Sequence, residues 1–435
     1  MQLSHYLKVY PCEEKPGYLL LFSTKQGSTV LLKEEKLRSI ENASLSPSDA
    51  ALLARLGMIV EDREAEKRTV FGFLDDFNER SPGLNLTIVL NLDCNFACTY
   101  CYEGDMKGNL YMSDTTAAGV IDFIKKKFTE NKTSLLVDFY GGEPLLSTGR
   151  IVSISRAIQS FIESKGASYR FTIITNGSLL TRRVAEKLAP LGLENVKITI
   201  DGPAEIHDRN RPFKSGAGSF HTIIHNIQET CDLVSISIGG NYESHNYEKF
   251  PLLLDYLMSS GLTPDRLRGV KFDPVMKGPD QRPLHDHFKG GCTSIYEPWI
   301  VRAEALLREE ILKKGYNTPK PRPMTCMIES KDAYVVNFDG VLYKCPAFIG
   351  QKGFSIGDLQ TGVRDYTDLY KIGIWKNAKC AECEYLPMCF GGCRYMVYVR
   401  EGNVETLDCR KDHLDASLEA LIKQDIKYRA KVENR

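Results

Sequence analysis

The chain has 435 residues, 43% hydrophobic and 26% charged, and its 56 basic and 56 acidic residues cancel. That length supports two or three domains, and the even charge balance argues against electrostatic binding of nucleic acid or an anionic membrane. No apolar run reaches membrane-spanning length, and the N-terminal MQLSHYLKVYPCEEK lacks the basic region and apolar core of a signal peptide, predicting a cytoplasmic protein. Thirteen cysteines are many for that compartment, where disulfides are rare, so clustered thiols point to metal or redox chemistry.

Residues 1–80 read as a separate module. Tyr18–Ser23 and Thr29–Lys33 are short strand-like runs joined through Gln26-Gly27, a hairpin signal. Ser46 followed by Pro47 predicts a capped helix that runs through Ala50–Leu56 and stops at Gly57. Glu61–Arg68 reads as a solvated helix or linker. Strands followed by small helices resemble the peptide-recognition element of enzymes that modify ribosomally made peptides. The resemblance implies a winged-helix-like fold that takes a leader peptide as an extra strand at a sheet edge. A generic winged-helix or capping subdomain fits the same signals.

From Leu84 the pattern alternates. Strand-like runs fall at Leu86–Leu92, Leu135–Phe139, Phe171–Ile174, Val196–Ile200, Val234–Ile238 and Val270–Phe272. Helical periodicity fills the gaps, at Thr115–Phe128, Ile151–Lys165, Thr181–Leu191, Phe220–Thr230 and Phe250–Ser259. Six βα units predict an α/β fold with a parallel sheet and right-handed crossovers, spanning residues 81–290. A connecting region, 291–325, holds the helix-like Val301–Lys314 and ends near the proline-rich Pro319–Pro323. Residues 326–412 carry a second set of cysteines, and 413–435 form a C-terminal helix.

Cys94, Cys98 and Cys101 stand in LNLDCNFACTYCYEG, directly after the first strand. Their C-x-x-x-C-x-x-C spacing offers three thiolates to one [4Fe–4S] cluster, which has four irons, so one iron stays open. The loop sits at a strand's C-terminal end, where α/β barrels place their chemistry. With Tyr100 before the third cysteine, this resembles the radical S-adenosylmethionine (SAM) enzymes. The resemblance implies a partial (β/α)6 TIM-like barrel whose lateral opening suits a large substrate. It also implies that the open iron binds SAM, which an electron from the cluster cleaves to methionine and a 5′-deoxyadenosyl radical. A structural zinc knot, or three unrelated buried thiols, is the bland alternative.

Further family elements follow the next strands. Gly141-Gly142-Glu143-Pro144 resembles the motif that holds the SAM amino group, with glycines for close backbone approach and Glu143 as an acceptor. Thr175-Asn176-Gly177 follows strand three. Thr199, Asp201 and then His207–Arg211 follow strand four, a region that in the family lines the SAM carboxylate and ribose. Arg211 is suited to a carboxylate because guanidinium binds it bidentately; a surface ion pair is its plain alternative. Asn241, after strand five, is a weaker candidate.

In the C-terminal third, Cys326, Cys345, Cys380, Cys383, Cys389, Cys393 and Cys409 match in order the SPASM domain of peptide and sulfatase maturases. The resemblance implies two auxiliary [4Fe–4S] clusters, three clusters in all. Cys326, Cys345 and Cys393 would hold auxiliary cluster I, and Cys380, Cys383, Cys389 and Cys409 auxiliary cluster II. Cluster I then lacks a fourth ligand: either Cys292 supplies it or one iron is open. Cys12 and Cys231 stand alone and read as small buried hydrophobes.

The sequence therefore points to a radical SAM/SPASM maturase that crosslinks a precursor peptide carrying a leader, fed by flavodoxin or ferredoxin, with a cysteine thioether as the expected product. A carbon–carbon cyclophane, or formylglycine formation in a sulfatase, are the alternatives; against the second, Pro346 stands where those maturases carry an aspartate after the second SPASM cysteine. A non-catalytic electron-transfer or peptide-binding protein is the alternative from another class.

Overall fold

The computed structural model describes residues 1–42, 44–278, 292, 295 and 297–429. The alternating region folds as six parallel strands, Gly83–Val89, Ser134–Tyr140, Ser168–Thr175, Leu193–Thr199, Ile236–Tyr242 and Gly269–Pro274, adjacent in sequence order. Period two in the second strand sends Leu135, Val137 and Phe139 under the helices, each 0–1% exposed. The Thr148–Ser164 helix answers with Ile151, Ile154, Ile158 and Ile162, a 3.6-period stripe that is also 0–1% exposed. Each such side chain contributes about 1.5–3 kcal/mol by leaving water.

The sheet is an open partial barrel. Among the described residues the sixth strand pairs only with the fifth. On the other side, Ala333–Val336 joins the first strand in parallel, and Val341–Tyr343, Gly357–Asp358 and Gly362–Val363 continue antiparallel. The C-terminal third is thus stitched into the barrel sheet, which reaches ten strands. Beside the sixth strand, the Pro298–Lys313 helix packs on the Lys411–Arg429 helix, where Arg308 reaches the Leu421 carbonyl (2.9 Å) and Asp425 (2.6 Å). A cavity of about 500 Å³ lies there, lined in part by Asp273, Arg308, Met324, His413 and Leu418. The expected boundary between 290 and 291, and the end of the C-terminal helix at 430–435, lie outside the described residues. No helix among the described residues is long and apolar enough to cross a membrane.

The N-terminal module is a meander of Leu7–Pro11, Tyr18–Ser23 and Thr29–Lys33. Its expected helix spans Pro47–Arg55, with the Ser46 hydroxyl accepting from the Asp49 amide. Gly57 ends it at φ +73°. The charged stretch expected as a solvated helix or linker is largely exposed over Glu61–Arg68 except at Glu66, and opens an 18-residue helix, Arg63–Arg80. Its polar N-terminal half masks an apolar second half. Leu74 packs there with Tyr6, Trp375, Leu386 and Phe390, while buried Glu66 accepts from the Ser4 hydroxyl (2.6 Å) and the His5 amide (2.8 Å). Leu20 and Phe22 pack on Tyr385, Met388, Leu418 and Ile422. The module is therefore docked on the C-terminal third through apolar contacts.

Candidate active site

The loop after the first barrel strand brings Cys94, Cys98 and Cys101 together, the first two buried. Asp93 braces its start. One carboxylate oxygen accepts from the Cys94 amide (2.8 Å) and from Lys214 (2.9 Å), and the other from the Tyr111 hydroxyl (2.6 Å). The Ala97 and Thr99 amides donate to the carbonyls of Pro212 and Asn210, so the segment after strand four clamps the cysteine loop. Burial pushes the Cys98 thiol up to about 11, while Arg211 and Lys107 pull it down. Lys107 also hydrogen-bonds Cys101, and its ammonium is held charged by all three thiols against the cost of burial. Three thiols facing two cations fit an anionic iron–sulfur cluster, whose ligands are thiolates. No three Cys, His, Asp or Glu side chains among the described residues converge on one ion position; cubane thiolates, each on a different iron, have no such common point.

The two glycines after strand two meet the protein's own backbone. A Cβ on Gly142 would sit 2.1 Å from the Asp93 carbonyl oxygen, and one on Gly141 2.6 Å from that of Asn91. The Gly142 and Glu143 amides donate to these same carbonyls, at 3.0 and 2.7 Å. The pair thus locks the strand-two turn onto the cysteine loop. Glu143 is wholly buried, and its carboxylate accepts from the Leu145 amide (2.9 Å), the Thr175 hydroxyl (2.7 Å) and the Asn176 amide (2.8 Å). Pro144 starts the short helix that follows. Asn176 donates to Asn95 (2.8 Å) and lies 3.9 Å from the Cys94 sulfur. Thr175 and Asn176 therefore reach the site through Glu143 and the cysteine loop.

Strand four supplies a buried polar network. The Tyr100 hydroxyl donates to Asp201 and accepts from Arg211 (2.7 Å) and Asn241 (3.1 Å). Asp201 also accepts from the Asn241 amide (2.8 Å), and burial raises its carboxyl while Arg211 opposes. The Asp201 amide donates to Nδ1 of His207 (3.1 Å), leaving the proton on Nε2, which faces Ser219 (3.0 Å). Burial, then Arg211, holds this imidazole neutral, well below the usual histidine range. Nε of Arg211 and Nδ2 of Asn210 are buried without a partner. An orphaned guanidinium donor beside the cysteines fits a carboxylate such as that of SAM. Thr199, half-buried, ends strand four opposite Gly239. Asp208 instead accepts from the Ser219 and Phe220 amides, both 2.8 Å, and braces the following helix.

The C-terminal cysteines form two groups. Cys326, Cys345 and Cys393 face one another. Cys380, Cys383, Cys389 and Cys409 form the other. Cys292 is in neither. Its backbone bonds to Val275 and Lys277 after the sixth barrel strand, and among the described residues the ionisable groups around it include Glu297 and Tyr242. Cys12 and Cys231, expected to be buried, are partly buried, and Cys231 packs against the barrel core. The Cys231 thiol turns back to the Gln228 carbonyl at its helix end.

Several site residues were missed from the sequence. Lys107 and Lys214 carry no motif. Asp93 had a signal, an acid directly before the first cysteine. Glu243 follows strand five on the side of Asn241 by strand alternation; it is buried, and burial raises its carboxyl against His245 and Arg209.

The family model for the radical SAM superfamily matches residues 88–250. Among curated proteins, the chain is 32% identical over 336 residues to a serine-type anaerobic sulfatase-maturating enzyme of Bacteroides thetaiotaomicron, covering 69% of this chain and 80% of that enzyme. It is 21% identical over 378 residues to the radical SAM cyclopropyl synthase TigE of Paramaledivibacter caminithermalis, covering 80% and 74%. Among solved structures, anSMEcpe with bound AdoMet and Kp18Cys peptide superposes with a TM-score of 0.63 at 17% identity, over 81% of this chain and 99% of that one. Streptococcus suis SuiB bound to precursor peptide SuiA superposes with a TM-score of 0.54 at 15% identity, over 94% and 98%. These likenesses establish a shared fold.

Proposed function

Because this chain is an enzyme belonging to the radical SAM superfamily, we propose that it is a peptide maturase that oxidatively crosslinks a ribosomally made precursor, with a cysteine thioether as product. The observation that carries this is the grouping of ten cysteines into three sets, of three, three and four. One set sits at the mouth of the barrel and two in the SPASM-like third. With a [4Fe–4S] cluster and SAM bound, the barrel site supplies a 5′-deoxyadenosyl radical for hydrogen abstraction from a peptide carbon. Cys94, Cys98 and Cys101 would ligate that cluster, with Lys107 offsetting its charge. Arg211 would hold the SAM carboxylate through its free Nε, while Tyr100, Asp201 and Asn241 fix the guanidinium. The Gly141–Pro144 turn positions the cysteine loop, and Glu143, Thr175 and Asn176 hold that turn. Thr199 remains a candidate contact to SAM.

Cys326, Cys345 and Cys393 would hold auxiliary cluster I, and Cys380, Cys383, Cys389 and Cys409 auxiliary cluster II. The placement of Cys292 away from the first trio supports an open iron there. The similar structures that hold bound peptides support a peptide substrate. The outer strand Thr29–Lys33, paired on one side only among the described residues, suits leader addition, and the cavity beside the sixth strand lies on the barrel's open side. The electron donor in this reading is a flavodoxin or ferredoxin.

The test is anaerobic incubation with SAM and a reductant, with and without the precursor. Formation of 5′-deoxyadenosine and a peptide lighter by two hydrogens, one from a cysteine thiol and one from the acceptor carbon, is expected; no 5′-deoxyadenosine from iron-replete protein overturns the proposal. The 32% identity to the Bacteroides enzyme favours a second reading, formylglycine formation. Pro346 cannot act as the acid–base group those maturases carry after that cysteine. An aldehyde on a sulfatase-type peptide would establish the second reading in place of the first.

A further inference from the structure

Tyr6 belongs to the N-terminal module, yet its side chain ends in the C-terminal third. The ring is 0% exposed and packs with Leu74, Trp375, Leu386 and Phe390, a cluster against which Cys380 also lies. Its hydroxyl is buried with no hydrogen-bond partner. An unpaired buried hydroxyl carries the penalty of its lost hydration, so its surroundings matter. The ionisable groups around it are Glu66, Cys383, Glu382 and the adjacent His5, whose ring stands edge-on at 5.0 Å. Glu66 is committed to the Ser4 hydroxyl, the His5 amide and Lys25. Glu382 is committed to Lys67 at 2.7 Å. Nε2 of His5 is itself buried without a partner, so it does not take the hydroxyl. Cys383 is left.

The backbone around Tyr6 is fixed to the same segment. The Thr24 amide donates to the Tyr6 carbonyl (2.9 Å), and the Thr24 hydroxyl donates to the Glu384 carbonyl (2.6 Å). Lys8 pairs with Glu384 at 2.6 Å. The other apolar face of the module, Leu20 and Phe22, packs where Cys383 lies. Two cysteines of one thiol group thus have the N-terminal module as their wall.

We propose that Tyr6 is a positioning residue for auxiliary cluster II, its hydroxyl donating a hydrogen bond into the sulfur shell that Cys380, Cys383, Cys389 and Cys409 hold. This rests on the proposed assignment of those four cysteines to a cluster. An ordinary phenol titrates at about 10, so the donor keeps its proton at neutral pH. Hydrogen bonds to cluster sulfurs favour the more negative, reduced state and raise the potential. The module expected to catch the leader would then also set the redox poise of the cluster nearest it.

The test is a redox titration of the reconstituted full chain, followed by electron paramagnetic resonance. Tyr6→Phe removes only the hydroxyl. It should lower the midpoint of one cluster, leave the other two unmoved and keep the iron content of the wild type. An unmoved midpoint at full iron content overturns the proposal. If Tyr6→Phe loses iron, 3-fluorotyrosine at position 6 decides, since it keeps the shape and donates more strongly. A higher midpoint then supports the hydrogen bond, and no change overturns it. Wild-type protein with about eight irons, at roughly four per cluster, and no third signal would sink the cluster assignment itself, whereas three signals with none sensitive to position 6 sinks Tyr6 alone.

Discussion

Gly142→Ala tests whether the turn after strand two is a clamp on the cysteine loop. The new Cβ would stand 2.1 Å from the Asp93 carbonyl oxygen and 2.7 Å from its carbon. Both are backbone atoms, so no side chain can swing away. The two strands of chain must separate by about 1 Å to restore ordinary contact, which stretches the Gly142–Asn91 and Glu143–Asp93 hydrogen bonds. Overpacking costs about 1–3 kcal/mol and each lost backbone bond about 0.5–1.5 kcal/mol. The sum is about 2–6 kcal/mol, concentrated on the segment that begins with Cys94. The variant should load about four fewer irons after reconstitution, form little 5′-deoxyadenosine, and melt earlier than wild type. Gly149→Ala is the control: nothing lies within 4 Å of its Cβ position and it sits in the Thr148–Ser164 helix, so it should be neutral or stabilise by up to about 1 kcal/mol. A Gly142→Ala protein with wild-type iron and melting temperature would refute the clamp.

Replacing Cys94, Cys98 and Cys101 together with Ala should remove about a third of the iron, one cubane of three, and abolish 5′-deoxyadenosine; residual SAM cleavage would disprove the assignment. Arg211→Lys keeps the charge but loses Nε, and one charged hydrogen bond is worth about 1.5–3 kcal/mol, so SAM should bind about 10- to 150-fold more weakly by calorimetry; an unchanged Kd counts against the carboxylate role. His207 is depressed below its ordinary 6.5 by burial, then Arg211. Below that pH the unfolded chain takes up a proton that the folded one refuses, so its stabilising contribution is present above about pH 6.5 and is lost on acidification, by up to about 1.4 kcal/mol per pH unit. The buried carboxyls of Glu143 and Asp201 are raised and pull the other way. The difference in unfolding free energy between wild type and His207→Gln isolates the imidazole, and should shrink as pH falls; a constant difference would count against it.

The barrel was legible because its helices have amphipathic stripes and its strands are bounded by turn residues; Phe220–Thr230 matches its expected limits. Errors arose where tertiary contact overrides pattern. The first strand ends at Val89 rather than Leu92, since Leu90 and Leu92 are buried loop residues. The fifth runs on to Tyr242 through Gly239-Gly240, which reads as a break. There Gly240 passes so close to strand four that a Cβ would lie 2.4 Å from the Ile200 carbonyl oxygen. The strand Leu7–Pro11 was missed because Pro11 and Lys8 suit an edge but not a typical strand. Within the site, spacing exposes cysteines. Lys107 reaches Cys101 and Lys214 reaches Asp93 across loops, and no local pattern records such meetings. For Glu143 the residue was legible but its partners within the protein were not: its carboxylate accepts from the Leu145, Thr175 and Asn176 donors.

The parallel pairing of Ala333–Val336 with Asn85–Ile88 also orders events during synthesis. Asn85 and Ala333 are partners 248 residues apart (333 − 85). At about 5–20 residues per second of translation, the first barrel strand waits about 12–50 s for that neighbour after it is made. Its other edge can pair earlier, with Ser134–Tyr140. Throughout the interval a row of amide and carbonyl groups, beside the apolar Leu84, Leu86 and Ile88, is an open template for another chain. The nascent protein is most exposed to aggregation then, and a truncation before residue 333 makes that exposure permanent. A chaperone that shields this edge would raise the yield of full-length protein more than one acting on the finished fold.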